Sequence, residues 1–184
     1  MSEMKCDWMR CSTPLGEMLL ASDESAPDEP ALGKPALCGA WFVGQKYFPS
    51  MAGWRERKTA LFEKAAFELQ RYFEGGLRRF TVPLRPRGTP FQQKVWAGIA
   101  EIGYGRTVSY VRLAARLKSS PRAVGSATGR NPLSLFVPCH RVVGSGGLLT
   151  GYAGGLKRKE ALLTLEGIDV LEGMKVLEGV VKGV

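Results

Sequence analysis

Short runs of mixed apolar and polar residues fill positions 4 to 21 on either side of Ser12-Thr13-Pro14-Leu15-Gly16. Proline at a turn position with glycine two residues later suits a tight turn, so the stretch predicts a hairpin of two strands. Asp23 to Pro35 is acidic, with three prolines and one glycine, and reads as a surface loop. Ala36 to Phe42 is expected to re-enter the sheet. From Thr59 the period changes: Leu61, Phe62, Ala65, Ala66, Leu69 and Phe73 recur at three- and four-residue steps, sharing one face of a helix that Gly75-Gly76 stops. A second helix opens at Thr89, a capping residue, with Pro90 at the favoured first position; Phe91, Val95, Ile99 and Ile102 form its expected buried stripe, and Gly103 and Gly105 close it. Ser109 caps a third, short helix carrying Val111, Ala114, Ala115 and Leu117. Ser120-Pro121 starts a fourth that runs to about Arg130. A last helix is expected from about Leu156 to Leu165, with Glu166 at its end and Gly167 as a stop.

Composition adds a boundary. The 184 residues are 45% hydrophobic, enough for one sizeable core or two small ones. Lys and Arg balance the acids through residue 85, 12 against 11, whereas residues 86 to 160 hold 12 against 2 and residues 161 to 184 hold 2 against 4. Composition and charge both change at Thr81 to Arg87, which carries Pro83 and Pro86. The expected organisation is therefore a first unit over 1–80, a linker over 81–87 and a second unit over 88–168. The remaining 169–184 repeats Val-Leu-Glu-Gly at 170 to 173 and 176 to 179, too short a repeat for a solenoid, and is expected to fray. A concentrated positive charge is a footprint for a polyanion, most often nucleic acid, although a solvated basic face has the same composition.

No run of about 18 apolar residues could span a bilayer, and Met1 to Asp7 has no apolar signal core, so a cytoplasmic protein without a membrane partner is expected. Cys6, Cys11, Cys38 and Cys139 form no CxxC pair, which argues against a disulfide framework or redox motif. Cys6, Cys11 and Cys38 could offer a metal three ligands, but the chain's single imidazole, His140, would have to be the fourth. Neither a metal nor another cofactor is expected.

Candidate chemistry centres on Pro138-Cys139-His140-Arg141-Val142. A thiol becomes a strong nucleophile on losing its proton, and imidazole is the usual acceptor near neutral pH. A buried structural Cys beside a hydrogen-bonded core His would read the same way in isolation. The helix before it, Arg122-Ala123-Val124-Gly125-Ser126-Ala127-Thr128-Gly129, follows another short helix across a tight turn, as in a helix-turn-helix. It lacks the long polar side chains of a major-groove reader. Its small residues let backbone approach a narrow groove, with Arg122 reaching deep, and they equally suit tight packing in a core. After the cysteine, Gly144-Ser145-Gly146-Gly147 and Gly151-Tyr152-Ala153-Gly154-Gly155 make a loop whose backbone can approach a ligand, without the Gly-Lys-Ser/Thr ending of a phosphate-binding loop.

Taken in order, Gly88-Thr89-Pro90-Phe91-Gln92-Gln93-Lys94-Val95-Trp96, Ser109-Tyr110, Arg122-Ala123-Val124-Gly125, Asn131-Pro132, Pro138-Cys139-His140-Arg141-Val142 and Gly151-Tyr152-Ala153-Gly154-Gly155 resemble the O6-alkylguanine-DNA alkyltransferases. The resemblance is strong over about 81–168 and holds only in outline before that. It implies an α/β (α+β) protein: a small ribonuclease-H-like amino-terminal domain and a winged helix-turn-helix carboxy-terminal domain. It also implies a monomer acting on double-stranded DNA that contains O6-alkylguanine. Cys139 would take the alkyl group, His140 would accept its proton through a water, and Glu166 would orient the imidazole. Asn131 would brace the turn from the recognition helix to the cysteine. Tyr110 would hydrogen-bond the departing guanine and crowd the adjacent phosphate. Arg122 would fill the gap in the base stack, on a DNA-binding face shared with Ala123, Gly125 and Ser126. The carbonyls of Cys139 and Val142 would accept from the guanine amino group, and Tyr152, Ala153 and Gly154 would complete the base pocket. Some members have Ser where this chain has Ala153, so only the backbone N–H is offered there.

Elementary chemistry leads to the same reaction. O6 is unreachable inside a duplex, so the base must leave the stack, at a cost of a few kcal/mol. Tyr110 is a candidate proton donor to the leaving guanine. The product thioether is a poor leaving group, so each molecule should react once. A cysteine hydrolase would draw its Cys and His from separate segments. A purely DNA-binding protein, either a regulator or a lesion sensor, would need neither the retained Cys139 nor so small-faced a helix.

Overall fold

The structure is a computed structural model and describes residues 6–23, 35–171 and 174–176. It is a mixed α/β protein. Strands β1 (Cys6–Thr13) and β2 (Gly16–Asp23) pair antiparallel from Thr13↔Gly16 to Cys6↔Asp23, so the expected hairpin turns at Pro14-Leu15. Gly16 has φ 112°, which an L side chain rarely adopts, and the Thr13 carbonyl end is held by its own Oγ1 donating to Gly16 O. The expected surface loop after β2 lies, from 24 to 34, outside the described residues. Strand β3 (Leu37–Phe42) pairs with β2, and a two-residue strand that the pattern did not foretell, β4 (Arg55–Glu56), adds parallel to β1, giving the order β3-β2-β1-β4.

Alternation sorts the sheet's two faces. Met18 and Leu20 of β2 enter the main core, whereas Leu19 and Ala21 meet Cys6, Cys38 and Trp41 on the other side. Helix α1 (Ala60–Phe73), capped by the Thr59 side chain on Phe62 N, covers the first face with Phe62, Ala65, Leu69 and Tyr72. Tyr72 continues the helical spacing of Phe62, Ala65 and Leu69, and is as buried as they are.

Helix α2 (Pro90–Ala100) begins with a full capping box between Thr89 and Gln92. Val95, Ile99 and Ile102 of the expected stripe are buried. Phe91 is 36% exposed, and the large side chain that turns inward is Trp96, whose Nε1 donates to Ala127 O at 2.9 Å. That bond satisfies a buried indole N–H, something Phe91 could not have required. Strand β5 (Val108–Ser109) leads into helix α3 (Tyr110–Arg116), capped by Ser109, and residues 117–120 turn the chain into helix α4 (Pro121–Gly129), capped by Ser120. Helix α3 buries Leu113 and Ala114 while Val111 faces outward. Helix α4 packs on α2 and α3 through Val124 and Ala127. A 3-10 turn, Cys139–Arg141, then enters strand β6 (Val142–Val143), parallel to β5, and helix α5 (Leu156–Leu165) follows.

The main core runs through both halves, from Met18 and Phe62 to Val95, Leu133, Cys139 and Leu162. Backbone bonds join them as well. Leu37 N donates to Pro83 O and Arg85 N to Leu37 O, while Ala40 N donates to Pro132 O and Ser134 N to Ala40 O, so the edge of β3 holds both the segment before α2 and the segment that follows α4. The tail does not fray at 169. Strands β7 (Val170–Leu171) and β8 (Lys175–Val176) pair, and Val176 packs with Val143, Leu149 and Leu163. Gly147 makes the seat: a Cβ there would lie 1.8 Å from Val176 O. The repeat at 176 to 179 falls outside the described residues after Val176. Among the described residues no helix is long and apolar enough to cross a membrane.

Candidate active site

Asn131 directly follows α4 and its cap residue, and its side chain ties the segment that follows it to the nucleophile. Its Oδ1 accepts from Leu133 N at 3.0 Å, which orients the amide so that Nδ2 donates to Val137 O at 2.9 Å and to Cys139 Sγ at 3.1 Å. Cys139 is 4% exposed. Burial pushes its thiol up, while the Asn131 donor and the positive charge of Lys159 pull the other way. The resting group is a thiol in a site already equipped with a donor for the thiolate.

His140 is fully buried, and its Nε2 lies 2.8 Å from Glu166 Oε1. Burial depresses the imidazole's proton affinity, with the Glu166 hydrogen bond and charge opposing. Burial alone would raise the Glu166 carboxyl, but His140 and Arg141 outweigh it and bring it to about 2. An ionised carboxylate only accepts, so Nε2 carries the hydrogen and Nδ1 of the neutral ring holds the free lone pair. Nδ1 has no hydrogen-bond partner among the described residues. Glu166 is saturated with donors. Arg141 reaches it through Nε and Nη2 at 2.9 Å each, Tyr72 OH at 2.7 Å and Gly105 N at 3.1 Å. Arg141 Nη1 also donates to Ile102 O, at the end of α2.

Around the thiol, Tyr110 OH donates to Gly151 O at 3.2 Å, and burial followed by the Cys139 charge raises its phenol, so it stays protonated. Tyr152 OH is buried without a hydrogen-bond partner among the described residues. Gly154 lies against that ring: a Cβ would come 2.6 Å from Tyr152 Cε1. Lys46 N donates to Ala153 O, binding this loop to the residues after β3. The Val142 carbonyl, expected to face a guanine amino group, accepts from Lys159 Nζ, which also donates to Thr150 O at 2.7 Å. A carbonyl has a second lone pair, so the two uses are compatible. The Cys139 carbonyl accepts from Val142 N. Arg122, Ala123, Gly125 and Ser126 lie on α4, with Arg122 and Ser126 exposed. A Cβ on Gly125 would be 3.9 Å from the Tyr110 ring, so the two surfaces adjoin.

Three site residues escaped the sequence reading. Lys159 is wholly buried, and burial lowers its ammonium to about 8 against the pull of Cys139. Its signal was a lysine three and four residues before the apolar Leu162 and Leu163. Tyr72 was signalled by the α1 spacing, but nothing local pairs it with Glu166, 94 residues away. Arg141 was in plain view beside His140, and only folding shows that it is buried on the same carboxylate. As for metals, Cys6 Sγ and Cys38 Sγ are 3.9 Å apart with Asp23 close by, but Asp23 is held by Arg87 at 2.9 Å, and His140 is occupied elsewhere.

Residues 90–168 match the family model described as the DNA binding domain of 6-O-methylguanine DNA methyltransferase. The methylated-DNA–protein-cysteine methyltransferase of Mycolicibacterium paratuberculosis is 41% identical over 162 residues, spanning 87% of this chain and 92% of that protein. Its namesake in Methanosarcina acetivorans is 42% identical over 157 residues, 84% of this chain and 94% of that protein. Among solved structures, Mycobacterium tuberculosis OGT in complex with DNA superposes with a TM-score of 0.76 at 40% identity, covering 88% of this chain and 93% of that one.

Proposed function

The chain belongs to the methylated-DNA–protein-cysteine methyltransferases, which repair DNA by moving an alkyl group onto a cysteine of their own, and from that premise we propose that Cys139 is the acceptor and guanine O6 the donor. The observation that carries the assignment is the Asn131–Cys139–His140–Glu166 chain, with Nδ2 to Sγ at 3.1 Å and Nε2 to Oε1 at 2.8 Å. In this reading Nδ1 of His140 takes the thiol proton through a solvent molecule, and Glu166 stabilises the resulting imidazolium. Asn131 and Lys159 stabilise the thiolate. Sulfur attacks the alkyl carbon, the S–C bond forms as the C–O6 bond breaks, and the electron pair leaves with the guanine. Tyr110 donates the proton that makes the base neutral and recovers one by way of His140, so the net proton moves from thiol to guanine.

The product thioether has no internal route back to the thiol, which makes the protein stoichiometric. Base extrusion fits the geometry of α4: Arg122 at its exposed start would occupy the vacated stack, and Ala123, Gly125 and Ser126 would let the helix sit close to the minor groove. Val142, Tyr152, Ala153 and Gly154 would line the pocket that receives the base. We read β1–β4 with α1, residues 1–80, as a ribonuclease-H-like unit. Residues 81–87 are the link, and α2–α4 with β5 and β6, within 88–168, form a winged helix-turn-helix. On this reading the protein works as a cytoplasmic monomer on double-stranded DNA. Incubation with duplex DNA carrying O6-methylguanine should add one methyl to the intact mass, and peptide mapping should find it on Cys139. A methyl on Cys6, Cys11 or Cys38 would refute the assignment.

A further inference from the structure

Helix α1 belongs to the amino-terminal half, yet one of its side chains ends on the carboxylate of the proton relay. Tyr72 is 1% exposed, and its hydroxyl donates to Glu166 Oε1, the oxygen that also meets His140 Nε2. The ring is fixed by Phe73, Phe80 and Tyr104 at centroid distances of 5.4, 5.3 and 6.1 Å. Packing of that kind asks only for an aromatic ring; the hydroxyl answers to something else. Burial and then the Glu166 charge keep the phenol protonated, so it acts as a donor throughout.

The other charged and titratable groups around the imidazole act differently. Arg141 and Lys159 oppose an imidazolium by like charge and Glu166 supports it, and in the proposed reaction Cys139 is its proton source. Tyr104 sends its hydroxyl to Leu165 O at 3.0 Å, with Arg78 over its ring at 5.7 Å. Arg141 shares Oε1 as a cation, whereas Tyr72 is a neutral donor competing with His140 for the same electron density. Each donor that disperses charge on an oxygen weakens the other bonds that oxygen accepts.

We propose that Tyr72 is a positioning residue of the alkyl-transfer reaction: by donating to the carboxylate oxygen that holds His140, it limits how firmly Glu166 supports the imidazolium. The amino-terminal half thereby sets the pH at which Cys139 is activated. The proposal rests on His140 accepting the Cys139 proton. Tyr72→Phe deletes one hydroxyl and leaves Glu166 with His140, both Arg141 donors and Gly105 N, so the carboxylate stays satisfied.

The test is single-turnover methyl transfer from duplex DNA carrying O6-methylguanine, followed across roughly pH 5.5 to 9 for wild type, Tyr72→Phe, Tyr72→Met, Phe80→Leu and His140→Gln. Tyr72→Phe should move the midpoint of the acid limb up by about half a pH unit, because a better-supported imidazolium keeps its proton to higher pH, and should make transfer above that midpoint about threefold faster than wild type, with DNA affinity unchanged. Tyr72→Met removes the same hydroxyl with a different filling of the space and should shift in the same direction. Phe80→Leu loosens the same packing but keeps the hydroxyl, and should retain the wild-type midpoint. An unmoved or acid-shifted midpoint in the Tyr72 variants, or an equal shift in Phe80→Leu, overturns the proposal. A wild-type midpoint in His140→Gln would instead remove the reading of His140 on which it stands.

Discussion

Replacing Glu166 by Gln keeps the side chain's size and one acceptor oxygen while removing the charge on which His140 and Arg141 converge. The carboxyl sits at about 2 against an ordinary 4.5, and at 1.36 kcal/mol per unit its charged form is favoured by about 3 kcal/mol in the fold. Because the folded value is depressed, that stability is fully present above about pH 4.5 and is lost as pH falls towards 2. Gln forfeits it at every pH and leaves the Arg141 guanidinium, 7% exposed at its side chain, without its anion. A total loss of about 3–5 kcal/mol is expected, the range for breaking a buried pair. The variant should also lose the acid-dependent part of its stability between those pH values. Kinetically, the imidazolium loses its counter-ion while burial and Lys159 continue to oppose it, so the apparent thiol pKa should rise by about one unit and transfer near neutrality should slow about tenfold. Urea unfolding at several pH values measures the first effect, and single-turnover transfer against pH measures the second. A pH–rate profile that superimposes on wild type after scaling would take Glu166 out of the proton relay, whatever happens to stability.

Arg122→Ala should slow repair of duplex DNA far more than reaction with the free modified base, and Arg122→Lys should recover little because an ammonium has no flat face to stack; equal slowing on both substrates would leave Arg122 without a role in base extrusion. Lys159→Met should lower thiolate reactivity. It should also flatten a pH dependence of stability: a lysine brought down to about 8 costs the fold most below that pH and is relieved as pH climbs towards 10.5, by up to about 3 kcal/mol. A thermal midpoint that rises equally in both proteins over that span would refute this. Gly147→Ala must push against Val176 O from a backbone held at φ 77°, so a loss of about 1–3 kcal/mol is expected. Hydrogen exchange should then show lost protection at Leu149 N, which donates to Met174 O, and unchanged protection there would argue against the tail as a structural element.

The sequence by itself determined the parts whose physics is local. Thr59, Thr89, Ser109 and Ser120 each cap the helix that follows them, Pro90 and Pro121 occupy first positions, and Gly16 turns the first hairpin. Such bonds close within a few residues, so residue type and spacing suffice to read them. The adjacency of Cys139 and His140 was legible in the same way, as was the ordered set of motifs that resembles the alkyltransferases. Tertiary structure decided what crosses the chain. That Trp96 joins Val95, Ile99 and Ile102 in the core rests on Ala127 O accepting its N–H, 31 residues away. Val170 and Leu171 pair with Val176 and Lys175, and Val176 O sits where a side chain on Gly147 would have been. His140 and Glu166 are 26 residues apart, Arg141 and Glu166 25, and Tyr72 and Glu166 94. A carboxylate's partners at such separations are selected by which helices pack together, and no local propensity records that. The family resemblance suggested one of these three pairings, and the fold supplied the other two.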